Sequence, residues 1–204
     1  MTLLAALNSA PLHAQRSLQW GIIGGGAWSI MKGDEAASDL ESTTGVMAGL
    51  SLVSSKPNKA LGFELDGLYV NKGFKSSGTG SSFSVNAGFI EVPLLIRAQF
   101  ARASKVQPFV SFGPSLGFKV SCSIKIETSV ASSTSDCEDL GGGGFELKST
   151  GVSGAVGGGI DFALSKATVT TGVRYTHGFT SATGDENHFD VTGLYLGLSR
   201  AKHK

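Results

Sequence analysis

The sequence has few charged residues and no long apolar run. Charged residues make up 16% of its 204 residues, with 17 Lys and Arg against 16 Asp and Glu, so we expect no basic face that binds nucleic acid. No segment has 18 consecutive apolar residues, and no transmembrane helix is therefore expected. This does not exclude transmembrane β-strands, because their signal in a sequence is much weaker than that of a helix.

Nucleotide-binding motifs are also missing, although two glycine-rich runs resemble them. In GIIGGGAW (residues 21–28), Gly24 and Gly26 could begin a G-x-G-x-x-G fingerprint, but the third position is Ser29. No Lys-Ser or Lys-Thr follows, as a phosphate-binding loop requires. The similar run AVGGGIDF (155–162) also lies within an alternating segment, and we interpret both as thin parts of a barrel wall. No cofactor is predicted.

Cysteine is scarce: the chain has only Cys122 and Cys137. No C-x-x-C motif or Cys/His cluster is present, and no metal site is predicted. In an oxidising compartment the two thiols would close a loop of about 15 residues, worth roughly 3 kcal/mol in the chain-entropy model. We therefore predict a disulfide between them.

Alternation of apolar and polar residues is what the chain has in abundance. It recurs between breaks rich in Gly, Ser, Asn and Asp, and it predicts an all-β chain. Eight strands are predicted, at residues 18–31, 45–54, 61–75, 83–100, 106–120, 148–164, 167–178 and 188–198.

The predicted connections alternate in length. Longer ones at 32–44, 76–82, 121–147 and 179–187 alternate with shorter ones at 55–60, 101–105 and 165–166. An even number of antiparallel strands with long loops at one end is typical of bacterial outer-membrane barrels. The sequence thus predicts an eight-stranded antiparallel up-and-down transmembrane β-barrel.

The two faces of the strands indicate which side meets lipid. One face is continuously apolar, as with Leu18, Trp20 and Ile22, while the charged face also carries the glycines, which suits a narrow lumen. Trp20 and Trp28 lie on the apolar face about 20 Å apart vertically at a ~40° tilt, which is near the height of an apolar band bounded by aromatic girdles. The alternative is two core tryptophans with a coincidental spacing.

If the apolar face of each strand meets lipid, four acidic and four basic side chains point into the lumen. Because unpaired buried charge is costly, the balance predicts a hydrogen-bonded network that plugs the lumen. The predicted members are Glu64, Asp66, Lys72, Glu91, Arg97, Lys119, Asp161 and Arg174.

Several strings resemble the PorT-like outer-membrane β-barrel family of the Bacteroidetes lineage. They are DGLYVNKGFK (66–75), FIEVPLLIRAQF (89–100), QPFVSFGPSLGF (107–118) and VRYTHGF (173–179). Asp66 stands where the family usually has Glu, which keeps the inward charge. The resemblance implies an eight-stranded barrel in the outer membrane of a Gram-negative bacterium. It implies little about activity, although named relatives include a factor of gliding-associated protein secretion.

Residues 1–14 are predicted to be the remnant of a signal peptide, since a short apolar run precedes Leu12-His13-Ala14; the alternative is an ordinary N-terminal tail. The barrel domain would then comprise residues 15–204, in contact with outer-membrane lipid. The long 121–147 loop is the best candidate for a protein-partner surface. We therefore expect a structural or interaction barrel, the alternative being a small transporter or channel for minor or apolar solutes.

Enzymatic activity is not expected. An outer-membrane hydrolase would need a nucleophile and a base near the outer rim, and the loop region THGFTSATGDENHFD contains His177, Ser181, Asp185 and His188. Such polar content is also usual for a solvated loop. The first loop could likewise bind a divalent cation, but its acidic spacing fits no EF-hand and a solvated face is favoured. Its acidic residues are Asp34, Glu35, Asp39 and Glu41.

Overall fold

The computed structural model describes residues 17–33, 40–55, 60–78, 80–101, 104–129, 131–137, 147–182 and 187–200. The predicted signal-peptide remnant, 1–14, lies outside them. None of the described residues forms a helix long and apolar enough to cross a membrane. The strands are β1 (Ser17–Lys32), β2 (Leu40–Ser55), β3 (Leu61–Gly78), β4 (Ser81–Gln99), β5 (Val106–Thr128), β6 (Ser132–Asp136), β7 (Thr150–Ala163), β8 (Ala167–Gly178) and β9 (His188–Arg200).

Eight of these strands close into a ring. Each pairs antiparallel with its neighbours in the order β1-β2-β3-β4-β5-β7-β8-β9, and β9 pairs with β1 to close it. The short strand β6 pairs with β5 and stands outside the ring. The predicted all-β, up-and-down barrel is confirmed, with one strand more than expected.

The two ends of the barrel differ, but not entirely as predicted. The short-turn end carries the connections 56–60, 100–105 and 164–166, and the outer end carries the other four. Among those four, the predicted 76–82 loop is wrong: β3 and β4 continue as a hairpin joined by residues 79–80. Small polar residues there belong to strands that project beyond the wall, so their composition resembles that of a loop.

The predicted 121–147 loop is also partly wrong, because β5 continues to Thr128 and pairs with β6. A register shift explains why the alternation seems to stop at Val120. Gly88 pairs with Ser121 and Phe89 with Lys119, so one residue of β5 is extra at this point. Such a bulge shifts the phase of the side chains, and the pattern then resembles the end of a strand.

The outer face of the wall is apolar, as expected for a surface in lipid. Large apolar side chains remain well exposed along it, for example Leu50 at 63% and Leu196 at 64%. Inside, two clusters of buried apolar residues fill much of the lumen. The first contains Ile23, Ala27, Met47, Leu68, Val70, Phe109, Val191 and Tyr195. The second, nearer the outer end, contains Met31, Phe74, Val85, Ala87, Phe89, Ile124, Leu147 and Phe189.

The glycine runs lie where neighbouring strands approach closely. A Cβ atom on Gly25 would stand 2.0 Å from the carbonyl oxygen of Leu194, and one on Gly159 would stand 2.1 Å from that of Thr171. Neither distance is possible for a real Cβ atom, so a side chain at either position would push the wall apart. The runs therefore act through packing within strands β1 and β7.

Candidate functional site

Five of the predicted inward charges form one layer near the short-turn end. Arg97 of β4 donates from Nη2 to both carboxylate oxygens of Asp161 at 2.9 Å, and from Nη1 to Glu64. Arg174 of β8 donates to Glu64 Oε1 at 2.6 Å and lies 2.7 Å from Asp66 Oδ2. We call these five residues the charged layer. None of them is more than 6% exposed.

The charged layer crosses the barrel. In the ring of eight strands, β3 and β8 lie on opposite sides, four positions apart. The contact between Glu64 and Arg174 therefore joins opposite walls through the lumen. Arg97 and Asp161 add a second link between β4 and β7. Side chains from both sides thus meet in the middle and close this level of the barrel.

Polar and aromatic neighbours complete the charged layer. Gln99 Nε2 donates to Asp161 at 2.6 Å, and Thr170 Oγ1 donates to the same carboxylate at 2.7 Å. The Arg97 guanidinium carbon lies 3.4 Å from the centre of the Phe109 ring, and that of Arg174 lies 5.5 Å from the Tyr195 ring centre. The alternation put Gln99 and Thr170 on the inward face, but it did not single out any of these four neighbours as part of the site.

The other three predicted charges lie apart from the charged layer. Lys72 and Glu91 form a separate buried ion pair, with Lys72 Nζ 4.9 Å from the centre of the Phe89 ring. Lys119 is only partly buried and donates to the Leu147 carbonyl at 2.8 Å. The eight charges therefore form a layer of five, a separate ion pair and a single lysine bound to a carbonyl, rather than one network. The first apolar cluster separates the layer from the ion pair: along β3, the buried Leu68 and Val70 lie between Asp66 and Lys72 on the inward face.

Among the cavities lined by described residues, two small ones lie between the strands. The one beside the charged layer has a volume of about 30 Å³ and is lined in part by Gln19, Ser51 and Thr170. The other, about 40 Å³, lies near the outer end and is lined in part by Glu91 and Val152. Volumes of this size hold a few water molecules at most.

The two tryptophans face outward from β1. Trp20 is 59% exposed and Trp28 is 43% exposed, on the same side of the strand. Thr192 of β9 pairs with Trp28 on one side and with Tyr175 of β8 on the other. Tyr175 is 38% exposed, so Trp28 and Tyr175 are outward aromatic residues at one level of the wall. Both tryptophans therefore lie on the outward face, where the aromatic girdle is predicted, and the girdle itself stays a prediction.

At the outer end, β6 and the facing part of β5 form a hairpin that projects from the wall. We call residues 122–137 the outer hairpin. A disulfide joins Cys122 to Cys137 at its base, where the Cys137 amide also donates to the Cys122 carbonyl at 3.2 Å. Both cysteines pack against the outer apolar cluster. Further out, Lys125 Nζ and Glu127 Oε1 form an exposed ion pair at 2.7 Å.

Charge on the outer hairpin behaves as it does on an ordinary protein surface. The hydrogen bond from Lys125, with its positive charge, holds the pKa of the Glu127 carboxyl below its usual value. Both side chains are about half exposed, at 46% and 48%. Exposed pairs of this kind contribute little to stability because water and salt screen them.

The residues considered for a hydrolase are only partly brought together. His177 and His188 have ring centres 4.7 Å apart, and Ser181 lines the same cleft. Asp185 lies outside the described residues. The carboxylate beside His177 is instead Asp190 of β9, with Oδ1 2.7 Å from His177 Nδ1. The sequence analysis did not select Asp190, although it ends the string THGFTSATGDENHFD two residues after His188; only the β8–β9 register places it beside His177.

Most of the acidic first loop, including Asp34, Glu35 and Asp39, lies outside the described residues. Glu41 is exposed near the start of β2 and pairs with Lys75 of β3 across the register. Of the acidic residues considered for a divalent cation, the described residues therefore include only Glu41, whose cross-strand neighbour is the basic Lys75.

The apolar outer face, the closed ring and the charged layer define a small transmembrane β-barrel of the outer-membrane class. The family described as "Outer membrane protein beta-barrel domain" matches residues 8–184, and the chain belongs to that family. It is an outer-membrane protein of a Gram-negative bacterium. No curated protein sequence matches the chain.

Solved barrels with similar folds differ widely in sequence. The solid-state NMR structure of AlkL in lipid bilayers is 13% identical and matches with a TM-score of 0.50, covering 100% of this chain and 98% of that one. Neisserial surface protein A is 15% identical, with a TM-score of 0.48 and coverage of 90% and 97%. OprG from Pseudomonas aeruginosa is 18% identical, with a TM-score of 0.47 and coverage of 91% and 97%. At these identities the likeness concerns the fold alone.

Proposed function

We propose that this protein is a closed structural barrel that presents its outer hairpin to a protein partner at the cell surface. The observation that carries the proposal is the contact between Glu64 and Arg174 across the lumen. A barrel whose opposite walls are joined by buried ion pairs is a rigid support rather than an open pore. We propose no catalytic role for it.

The closed lumen supports this role because opening it would be costly. Moving Arg174 aside would leave Glu64 and Asp66 without one of their cationic partners, and breaking a buried pair typically costs about 3–5 kcal/mol. The two buried apolar clusters also fill the lumen and form a second obstruction to a solute. A solute would have to displace both.

The outer hairpin supports the binding part of the proposal. Among the described residues, β6 pairs with β5 alone, so its second edge is unpaired. That edge is short and consists of Ser and Thr residues before Asp136. Backbone groups along such an edge can pair with an extended segment of another protein. The disulfide and the outer apolar cluster hold the edge in place.

The finer assignment rests on the resemblance to PorT-like barrels of the Bacteroidetes. It supports an exported protein with a signal peptide, and a role beside a protein-secretion machinery. The strings that carry it include β4, which supplies Glu91 and Arg97 to the lumen. This part of the proposal names the kind of partner, a component of a secretion complex.

Conductance in a planar bilayer tests whether the lumen is closed. The purified protein should give no steady steps of porin size, while a 16-stranded porin inserted in the same bilayer serves as the positive control. Regular steps from the wild-type protein would refute the structural barrel.

Site-specific photo-crosslinking in cells tests the partner. A photoreactive residue at Thr134 on β6 should give a discrete crosslinked protein. The same group at the exposed Lys166, in a short turn at the opposite end, is the matched control and should not give that product. Identical products from both positions, or none from Thr134, would contradict the proposed partner surface.

A second candidate is a transporter for apolar solutes, and the cavity near Val152 favours it. This cavity is lined by inward Glu91 and by outward Val152, beside Gly151 and Gly178. Pairing of β7 with β8 ends at Ser153 and Gly178, and beyond it the wall is held by Phe179 and Thr180 donating to the Val152 carbonyl. Loss of apolar-solute uptake on deletion, with no crosslinked partner, would favour this candidate.

A further inference from the structure

Four polar residues form a cluster on the outward face of the wall, at its outer end. They are Lys32 of β1, His177 of β8, and His188 and Asp190 of β9, and we call them the rim cluster. The register explains the meeting: Lys32 pairs with His188, and His177 pairs with Asp190. Asp190 is two positions above Thr192, which pairs with Trp28. The cluster therefore lies just above the outer aromatic residues, where lipid headgroups begin.

The carboxylate of Asp190 is at the centre of the rim cluster. Its Oδ1 lies 2.7 Å from His177 Nδ1 and 3.9 Å from His188 Nε2. Its Oδ2 lies 3.0 Å from Lys32 Nζ. The Asp190 side chain is 5% exposed, whereas that of Lys32 is 57% exposed and free to move into solvent.

The two imidazoles and the carboxylate each offer one ligand atom, and the three atoms lie within 4.8 Å of one another. A tetrahedral Zn²⁺ with bonds of about 2.0–2.2 Å would separate its ligand atoms by roughly 3.3 Å. The observed separations of 2.7 Å and 3.9 Å lie on either side of this value. Each of these two separations differs from the tetrahedral value by about 0.6 Å.

We infer that the rim cluster is a site for a divalent transition-metal ion, with Zn²⁺ as the best match. Imidazole with carboxylate suits Zn²⁺, Cu²⁺ and Ni²⁺, whereas Ca²⁺ and Mg²⁺ require mostly oxygen ligands. His177, His188 and Asp190 supply three ligands. The fourth ligand would be water from the adjoining cleft of about 450 Å³, whose lining includes His177, His188, Gly33 and Ser181.

The position of Lys32 allows a metal site to be distinguished from a simple ion pair between Lys32 and Asp190. An ammonium 3.0 Å from Asp190 Oδ2 satisfies the carboxylate when no metal is bound, and it repels an incoming cation. Metal binding should therefore compete with Lys32. No metal site was predicted from the sequence, because His188 and Asp190 alone form no recognised metal motif and His177 joins them only through the pairing of β8 with β9.

Zn²⁺ titration of the full chain in detergent, in competition with a chromophoric chelator, tests the inference. We expect one ion per chain, with affinity reduced at least about tenfold in each of His177→Ala and His188→Ala, since even outer-shell changes commonly cost that much. Glu127→Gln, which removes an exposed carboxylate of the outer hairpin, is the control and should bind like wild type. Lys32→Met should bind more tightly. Equal binding by wild type and both cluster variants would overturn the inference.

Co²⁺ binding supplies a second readout, which reports the coordination of the bound ion in the wild-type protein. Wild type should develop the visible absorption bands of a low-symmetry four- or five-coordinate Co²⁺ ion, and His188→Ala should lose them. A shift in gel migration on boiling shows that each variant has folded as a compact barrel. A folded wild type with no visible bands would overturn the inference. This test concerns the rim alone and does not depend on the proposed function.

Discussion

The charged layer and the outer hairpin both contain carboxylates paired with cations, but in very different surroundings. In the charged layer, Arg97 and Arg174 are almost fully buried and share Glu64 between them. On the outer hairpin, Lys125 and Glu127 are about half exposed. Buried charges depend on one another because at most a few water molecules can replace a lost partner, whereas exposed charges are solvated by bulk water. The barrel is therefore rigid at one end and tolerant of change at the other.

The largest expected effect comes from breaking the charged layer. Arg97→Met should lower the free energy of unfolding by about 3–5 kcal/mol, because it leaves Glu64 and Asp161 buried with too little positive charge. Urea unfolding in lipid vesicles, followed by gel migration, measures the loss. Arg200→Met, at the exposed end of β9, is the matched control and should change stability little. Equal losses of stability in the two variants would contradict the claim that the buried ion pairs of the charged layer contribute more than exposed charges.

A charge placed on the outer face of the same wall should also be costly. Leu50 is 63% exposed toward lipid, and Leu50→Arg should destabilise the barrel by about 2–4 kcal/mol if the residue lies near the bilayer midplane. Leu50→Ala controls for the loss of the side chain. The same urea titration applies. An arginine tolerated as well as alanine would contradict a lipid-facing surface at this position.

Removing the disulfide should affect the outer hairpin more than the barrel. Replacing Cys122 and Cys137 by Ser releases a loop constraint worth up to about 3 kcal/mol in the chain-entropy model. We expect faster trypsin cleavage after Lys125, while the shift in gel migration on boiling persists. Wild type treated with a reductant should behave like the variant. Loss of the whole barrel fold would show that the hairpin is not an independent addition.

The smallest effect is expected at the exposed ion pair. Glu127→Gln should leave stability nearly unchanged at neutral pH. The folded pKa of Glu127 is lowered, so any stabilisation exists above its unfolded pKa and disappears as pH falls through the folded value. Comparing the variant with wild type at pH 7 and pH 3 checks this. A difference that grows on acidification would have the wrong sign.

Alternation in the sequence predicts which side chains face the lumen. It does not predict which of these side chains form ion pairs with one another. Glu64, Arg97 and Arg174 were placed inward because strand side chains alternate with period two. Which of them meet depends on the shear of the closed barrel, which no single strand reveals. The separate pair Lys72 and Glu91 was therefore included in one network with the rest.

Interruptions of the alternation account for the other errors. The extra residue near Val120 shifts the phase of β5, so the strand was ended too early and β6 was missed. Asp190 was missed for a different reason, since its neighbours His177 and Lys32 are joined to it only through pairing with β8 and β1. A prediction based on local pattern does not include either kind of information.

The contact between Glu64 and Arg174 also constrains the order in which the protein is assembled. These residues are 110 positions apart in the chain, on the third and eighth strands along it. Until β8 takes its place, Glu64 and Asp66 face a lumen that still lacks Arg174, and water must remain to solvate them. We expect the interior to dry only after almost the whole chain has entered the membrane, so that loss of this water marks the completion of insertion.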